Sequence, residues 1–230
     1  MTVLQLRRLV TDNVELLRGL SRREMDLVLS SAKRRRFPAK SVITYQGEPA
    51  DRLLLLRQGR ARYFFETPHG KKLILRWIAP GDVFGGAALI SRPSQYIVST
   101  EAVTDSTVLV WDGATIRDLA RQFPRILENT LYLAADYISW YVAAHAALTS
   151  KTARERLAHV LVELAPNLGQ RTSSGEIELD VTNEELANSA NISPYTTSRT
   201  ISKWQKSGVI RKRRGKILLR SAESFFLRVV

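Results

Sequence analysis

The chain has 230 residues, no cysteine and a formal net charge of +13. The missing cysteine excludes disulfides, thiolate metal sites and cysteine-held iron–sulfur clusters, and the excess of cations points to a polyanionic partner. At 44% hydrophobic residues the chain can bury a core in one large or two small domains, and no apolar run approaches the ~18 residues that span a bilayer.

The first twenty residues, MTVLQLRRLVTDNVELLRGL, are broken by charges throughout and do not read as a signal peptide. With the absent cysteine, this points to the cytoplasm and away from a membrane partner. Residues from about 12 to 35 read as helical, with Leu16, Leu17, Leu20, Met25, Leu27, Val28 and Leu29 as candidate core positions. Ser21 followed by Glu24 forms a capping box.

From Ser41 to Trp111 the period changes. Short apolar runs (SVITY, RLLLLRQG, ARYFFE, KLILRWI, QYIVSTEAV, STVLVW) are punctuated by glycines at 47, 59, 70, 81, 85 and 86. Strands of this length and spacing predict an antiparallel sandwich or barrel, with TPHGKK at a hairpin tip.

After Asp112 the helical period returns. Asp112 caps DGATIRDLARQF, and Pro124 restarts the chain into a long helix reaching about Ser150. Ile126, Leu127, Leu131, Ala134, Tyr137, Ile138, Trp140, Tyr141, Ala144 and Leu148 cover more than one face of it. A surface helix needs one apolar stripe, so the second face predicts a second partner: burial inside a monomer or, as the preferred reading, a helix from another copy of the chain. Residues from about 151 to 167 read as another helix ended by Pro166, and NLGQRTSSGE reads as a loop.

Thr182 with Glu185 makes a second capping box, opening the helix NEELANSA. NIS is a tight turn. Ser193 caps the next helix and Pro194 takes N1, where its missing N–H costs nothing. Thr197, Ile201 and Trp204 form its inward stripe. Tyr195, Thr196, Ser198, Arg199 and Ser202 form the leading face, with Lys203 and Lys206 behind. Gly208 ends it, and VIRKRRGKILL reads as two short strands about Arg214–Gly215. From Tyr195 to Val230 there are ten Lys or Arg residues against the single acid Glu223, most of the chain's charge excess.

This is the pattern of a winged helix-turn-helix, whose second helix reads base edges in the major groove of double-stranded DNA. Arg199 has the bidentate fork for guanine O6 and N7. Ser198, Thr196 and Ser202 can reach bases or phosphates, and Tyr195 can meet a thymine methyl. Lys203, Lys206, Arg213 and Lys216 suit phosphate contacts, which give affinity without sequence information.

Together these features resemble the Crp/Fnr family of bacterial transcription factors, over nearly the whole chain. SVITYQGEPADRLLLLRQGRAR resembles the opening of the family's β-roll, IAPGDVFGGAALI its Pro-Gly-Asp-Xaa-Phe-Gly turn, and TNEELANSANISPYTTSRTISKWQKSGVI its helix-turn-helix. The resemblance implies an α+β protein: an N-terminal antiparallel β-roll of the cyclic-nucleotide-binding type over residues 1–123, a dimerisation helix and hinge over 124–150, and a C-terminal winged helix over 151–230. It implies a homodimer on a palindromic operator that recruits or blocks RNA polymerase. In the recognition helix, Tyr195 stands where an acidic base-reading residue is common, so the operator should differ from the family's best-known sites.

The effector motif departs further. Members that bind cyclic nucleotides carry Gly-Glu after the β-roll turn and Arg-Ser or Arg-Thr some ten residues on. Here those places hold Gly85-Gly86 and Tyr96-Ile97. A nucleotide needs the carboxylate for its ribose and the cation for its phosphate, so the sequence argues against cyclic AMP. The expected lining is Phe84, Leu89, Tyr96, Val98, Tyr137 and Tyr141, with Arg92 as the nearby cation. It suits an apolar or aromatic molecule, or side chains that fill the space themselves. His145 could ligate a haem iron, but no second ligand stands out, and a histidine at the helix surface or subunit seam is the preferred reading. No certain cofactor is expected. No nucleophile–base pair or phosphate loop points to an enzyme. A rival reading makes the β-roll the working part of an effector-binding regulatory protein, and the intact helix-turn-helix argues against it.

Overall fold

A computed structural model describes residues 14–229, apart from 71, 93 and 214, and only the backbone of residue 167. The chain divides into two compact units, one of Met1–Phe65 and Ile78–Tyr141, the other of Glu66–Trp77 and Val142–Val230.

The first unit opens with a 3-10 turn, Glu15–Leu17, and helix α1, Arg22–Ser30. Ser21 and Glu24 cap α1 reciprocally, as the capping box predicts. The chain leaves this helix earlier than the helical pattern predicts and enters strand β1, Lys33–Phe37. A run of Lys and Arg has no period, and pairing along the whole of β1 with Ser106–Asp112 (β8) decides its conformation. Leu27, read as core, is instead 46% exposed. The start of that helical expectation, residues 12 and 13, lies outside the described residues.

The strands that follow are β2 (Val42–Thr44), β3 (Arg52–Gln58), β4 (Ala61–Glu66), β5 (Lys72–Ile78), β6 (Val83–Phe84) and β7 (Ser99–Ala102), before β8. They form two four-stranded sheets in the orders β1-β8-β3-β6 and β2-β7-β4-β5, with antiparallel pairings. This is the predicted antiparallel sandwich, and the turn Thr67–Gly70, closed by Gly70 N–H to Thr67 C=O (2.9 Å), is its predicted hairpin tip.

β3 shows how the sequence builds two cores. Leu53 to Leu56 are all buried. Alternate side chains of a strand point to opposite faces, so Leu54 and Leu56 pack between the sheets with Ile43, Ala61, Phe84, Ala102, Val108 and Val110. Leu53 and Leu55 pack outward, with Leu16, Leu17, Val28, Trp111 and Ile116. The Trp111 indole N–H donates to the Val28 carbonyl at 2.8 Å, tying β8 to α1.

Helix α2, Gly113–Gln122, is capped by Asp112, whose Oδ1 accepts from Thr115 N–H at 2.9 Å. Helix α3, Arg125–Ser150, follows Pro124. Asn129, buried on its inner face, donates to the carbonyls of Leu16 and Arg18, both at 2.9 Å.

In the second unit, helix α4 is Ala153–Leu168, opened by a Thr152–Glu155 capping box. Pro166 lies inside its last turn and does not end it. A proline so near the end removes one intrahelical bond, and Gly169 N–H still closes onto Ala165 C=O at 3.2 Å. The stretch read as a loop contains β9 (Gln170–Arg171), which pairs with β10 (Ile177–Leu179). Helices α5 (Asn183–Ala190) and α6 (Pro194–Lys206) follow, then strands β11 (Arg211–Arg213) and β12 (Lys216–Leu219), and helix α7 (Ala222–Val229). The four strands form one sheet, β11-β12-β10-β9.

Candidate nucleic-acid interface and effector pocket

α5 and α6 are held as a helix-turn-helix by caps and packing that their sequences dictate. Thr182 and Glu185 close the predicted capping box. Asn191 takes a left-handed conformation (φ 48°), which asparagine tolerates better than most residues and which reverses the chain after α5. The Ser193 hydroxyl accepts from Thr196 N–H at 3.0 Å and Pro194 sits in the first turn, as predicted. Thr197, Ile201 and Trp204 are buried. The Trp204 ring meets Phe225 of α7 edge to face at 5.2 Å. That packing fixes the rotation of α6 about its axis, and so decides which side chains point away from the unit.

Those side chains are the ones the sequence singles out. Tyr195 is 74% exposed, and Ser198, Arg199, Ser202, Lys203 and Lys206 are exposed beside it. The helix carries no acid. Thr196 is half-buried and its hydroxyl lies 2.8 Å from that of Ser193, so it serves the cap as well as the exposed face.

The wing is less uniformly cationic than its own sequence. Lys216 Nζ lies 2.6 Å from Glu178 Oε1 on β10. Arg211 is paired with Glu176, whose carboxyl the arginine's hydrogen bond holds below the usual range. Lys212 reaches Asn183 Oδ1 at 3.3 Å, and Arg213 is exposed. The two glutamates precede the cation-rich segment from Tyr195 onward, and only the sheet pairing brings them to the wing.

The side chains expected to line an effector pocket do not form one set. Phe84 is buried between the sheets. Its ring meets Tyr63 edge to face at 6.5 Å, Tyr63 meets Tyr137 of α3 at 6.0 Å, and Tyr137 meets Trp140 at 5.9 Å. Tyr63 was not among the expected residues, although alternation in ARYFFE puts it opposite Phe64. Leu89 packs on the outer cluster instead. Val98 is half-buried, Arg92 exposed, and Tyr141 53% exposed.

Tyr96 is 8% exposed and its hydroxyl donates to the Arg52 carbonyl at 3.2 Å. Burial pushes that hydroxyl above the usual phenol range. Gly85 has φ 77°, and a Cβ there would lie 2.3 Å from the Arg52 carbonyl oxygen. A Cβ on Gly86 would meet Thr130 Cγ2 at 3.3 Å. Arg62 of β4 pairs across the sheet with Glu101 of β7 at 3.0 Å, the arginine half-buried and the glutamate buried. No group of three or more His, Asp or Glu could hold a metal ion among the described residues, and none of their helices is long and apolar enough to cross a membrane.

Comparisons with known proteins agree with this architecture. Residues 34–123 match the cyclic nucleotide-binding domain and residues 155–224 the Crp-like helix-turn-helix domain. The chain is 30% identical to the cyclic AMP receptor protein of Thermus thermophilus over 207 residues, 90% of this chain and 93% of that one. It is 25% identical to a CRP-like cAMP-activated global transcriptional regulator of Mycobacterium tuberculosis, covering 81% and 84%. Among solved structures, FixK2 from Bradyrhizobium japonicum shares the fold at a TM-score of 0.74 and 22% identity, over 86% of this chain and 96% of that one. A CRP-family regulator from Thermus thermophilus gives 0.70 at 26% identity, over 85% and 96%. A β-roll, a long helix and a winged helix in this order, with these likenesses along almost the full chain, make it a member of the Crp/Fnr family of transcription regulators.

Proposed function

We propose that the chain binds a palindromic operator as a homodimer, with α6 in the major groove, and controls transcription there by recruiting or blocking RNA polymerase. The observation that carries this is the exposed, acid-free face of α6, set by the burial of Thr197, Ile201 and Trp204 on the other side. Arg199 reads a base, with Tyr195, Ser198 and Ser202 beside it. Lys203, Lys206 and Arg213 hold phosphates. Lys216, paired with Glu178, contributes less than its charge implies. Half-sites lie about one helical turn, ~34 Å, apart. Such a protein works in the cytoplasm and needs no enzymatic step.

The reading extends to the effector. The names of relatives refer to cyclic AMP, but the residues here do not fit a cyclic nucleotide. Glycines 85 and 86 supply no carboxylate, and Tyr96 turns inward onto a backbone carbonyl. A phosphate entering there would lose hydration and gain at most the one cation of Arg92, which is exposed, so desolvation wins. The aromatic row of Phe84, Tyr63, Tyr137 and Trp140 suits an apolar or aromatic ligand, or closes the space by itself.

Selection of bound sequences from a random duplex pool tests the main reading. A two-fold symmetric motif is expected. Failure to retain any duplex at low salt would sink it.

A further inference from the structure

On α3, Leu131, Ala134, Ile138, Tyr141, His145 and Leu148 follow one another at alternating intervals of three and four residues. That is the a/d spacing of a two-stranded coiled coil. All six are exposed, Leu131 at 64% and Ile138 at 61%, whereas the other side of the helix buries Ile126 and Asn129. The stripe is therefore the seam of the proposed dimer, and its one imidazole falls at an a position. Each α3 runs at Ser150 toward the DNA-binding helices of its own chain. For both recognition helices to reach one duplex, the two copies of α3 must run in the same direction. In a parallel pair, a positions meet their own counterparts.

We propose that His145 of one protomer pairs with His145 of the partner subunit in the dimer seam, and that this pair fixes the register and makes dimerisation sensitive to acid. This rests on the homodimer reading above. A neutral imidazole has one N–H donor and one bare nitrogen acceptor, so two of them form one hydrogen bond across the seam. A single polar a layer of this kind specifies register at a cost in affinity. When both imidazoles carry a proton, no acceptor remains and two positive charges share a layer between Tyr141 and Leu148.

On α3 the nearest charges are Asp136 before His145 and Lys151 beyond the helix end. The hairpin grouped with this part of α3 brings Glu66, His69, Lys72 and Arg76, and α4 brings Arg154, Glu155 and His159. A variant changed only at His145 keeps all of these charges in place.

The test uses the whole 230-residue chain, whose lack of cysteine makes an introduced thiol unique. Under mild oxidation His145→Cys should cross-link two chains, and Ser139→Cys, off the stripe, should not. Sedimentation should show the wild-type dimer dissociating about tenfold more readily at about pH 5.5 than at about pH 7.5. His145→Leu should dimerise more tightly at both pH values and lose most of that dependence. Dimers that fail to cross-link through His145→Cys, or an equal acid response in His145→Leu, overturn the pair and leave the dimer standing. Monomers under all conditions overturn both.

Discussion

Arg199 is placed by the burial of three neighbours on α6, and it carries no role in the packing of its own unit. Its removal should therefore read out on DNA and not on folding. Arg199→Ala should cost ~1–3 kcal/mol at the selected operator and relax preference at one base pair per half-site, measured by binding to a panel of single-base operator variants. An unchanged preference at every position would mean that α6 is docked wrongly. Arg213 acts differently. Arg213→Ala should weaken all duplexes alike and flatten the slope of affinity against salt by about one unit. Lys216→Ala should flatten it less, because Glu178 already neutralises part of that charge. This distinction was hidden in the sequence. The run of cations from Arg211 onward is plain, but Glu176 and Glu178 lie some 35 residues upstream and reach the wing only through strand pairing.

Among the elements, α3 and α4 make opposite demands. The outer face of α3 is apolar and exposed in one chain, so an acid placed on it should do little to the fold of the protomer. Leu131→Asp should leave the circular dichroism unchanged and abolish both dimerisation and operator binding. Retention of tight operator binding by this variant would count against the two-fold arrangement. α4 instead carries His159, against which the Phe226 ring packs edge to face at 4.8 Å and the Lys151 ammonium sits close by. Burial, then the lysine's charge, lowers its titration below the ordinary 6.5. The unfolded chain therefore binds a proton more readily than the folded one. Stability of this unit is retained above 6.5 and is lost as the pH falls below it toward the folded value. Thermal melts of the wild type between neutral and mildly acidic pH should show that loss, and His159→Gln should reduce it. The helices themselves were legible wherever a cap announced them: Ser21, Asp112, Thr182 and Ser193 each start one. Their ends were less so. The sequence places a stop at Pro166, yet one missing N–H in a last turn is tolerated when the residues before it are buried, as Leu164 and Ala165 are.

For the whole molecule, the order of an antiparallel sandwich or barrel, a long helix and a basic helix-turn-helix could be read from hydrophobic period, caps and charge, whereas the β-roll followed only from the family resemblance. The effector region could not be read in this way. The family pattern groups Phe84, Leu89, Tyr96 and Tyr141, but Phe84 packs between the sheets, Leu89 beyond the Gly85 turn joins the outer cluster, Tyr96 bonds the Arg52 carbonyl and Tyr141 is exposed on α3. Which of them share a space depends on sheet pairing that no local signal encodes. The consequence is measurable. Calorimetry of the protein with cyclic AMP and cyclic GMP should show no heat of binding. Micromolar binding of either, with tighter operator affinity, would mean that backbone amides or Arg92 take the place of the missing motif. Substituting Tyr96→Phe removes only the hydroxyl held by the Arg52 carbonyl, and should destabilise the β-roll by ~1 kcal/mol. Chemical denaturation would show this as a lower midpoint with unchanged slope.

The four leucines of β3 have a practical meaning for anyone who wishes to modify the protein. Because they alternate between two separate cores, one residue added to or removed from this strand would exchange the occupants of both at once. The strand is thus closed to insertions. The tip at Thr67–Gly70 is different: a Cβ on Gly70 meets nothing within 4 Å. A short fluorophore-binding tag placed there leaves every leucine of β3 in its own core and gives an optical handle on the regulator.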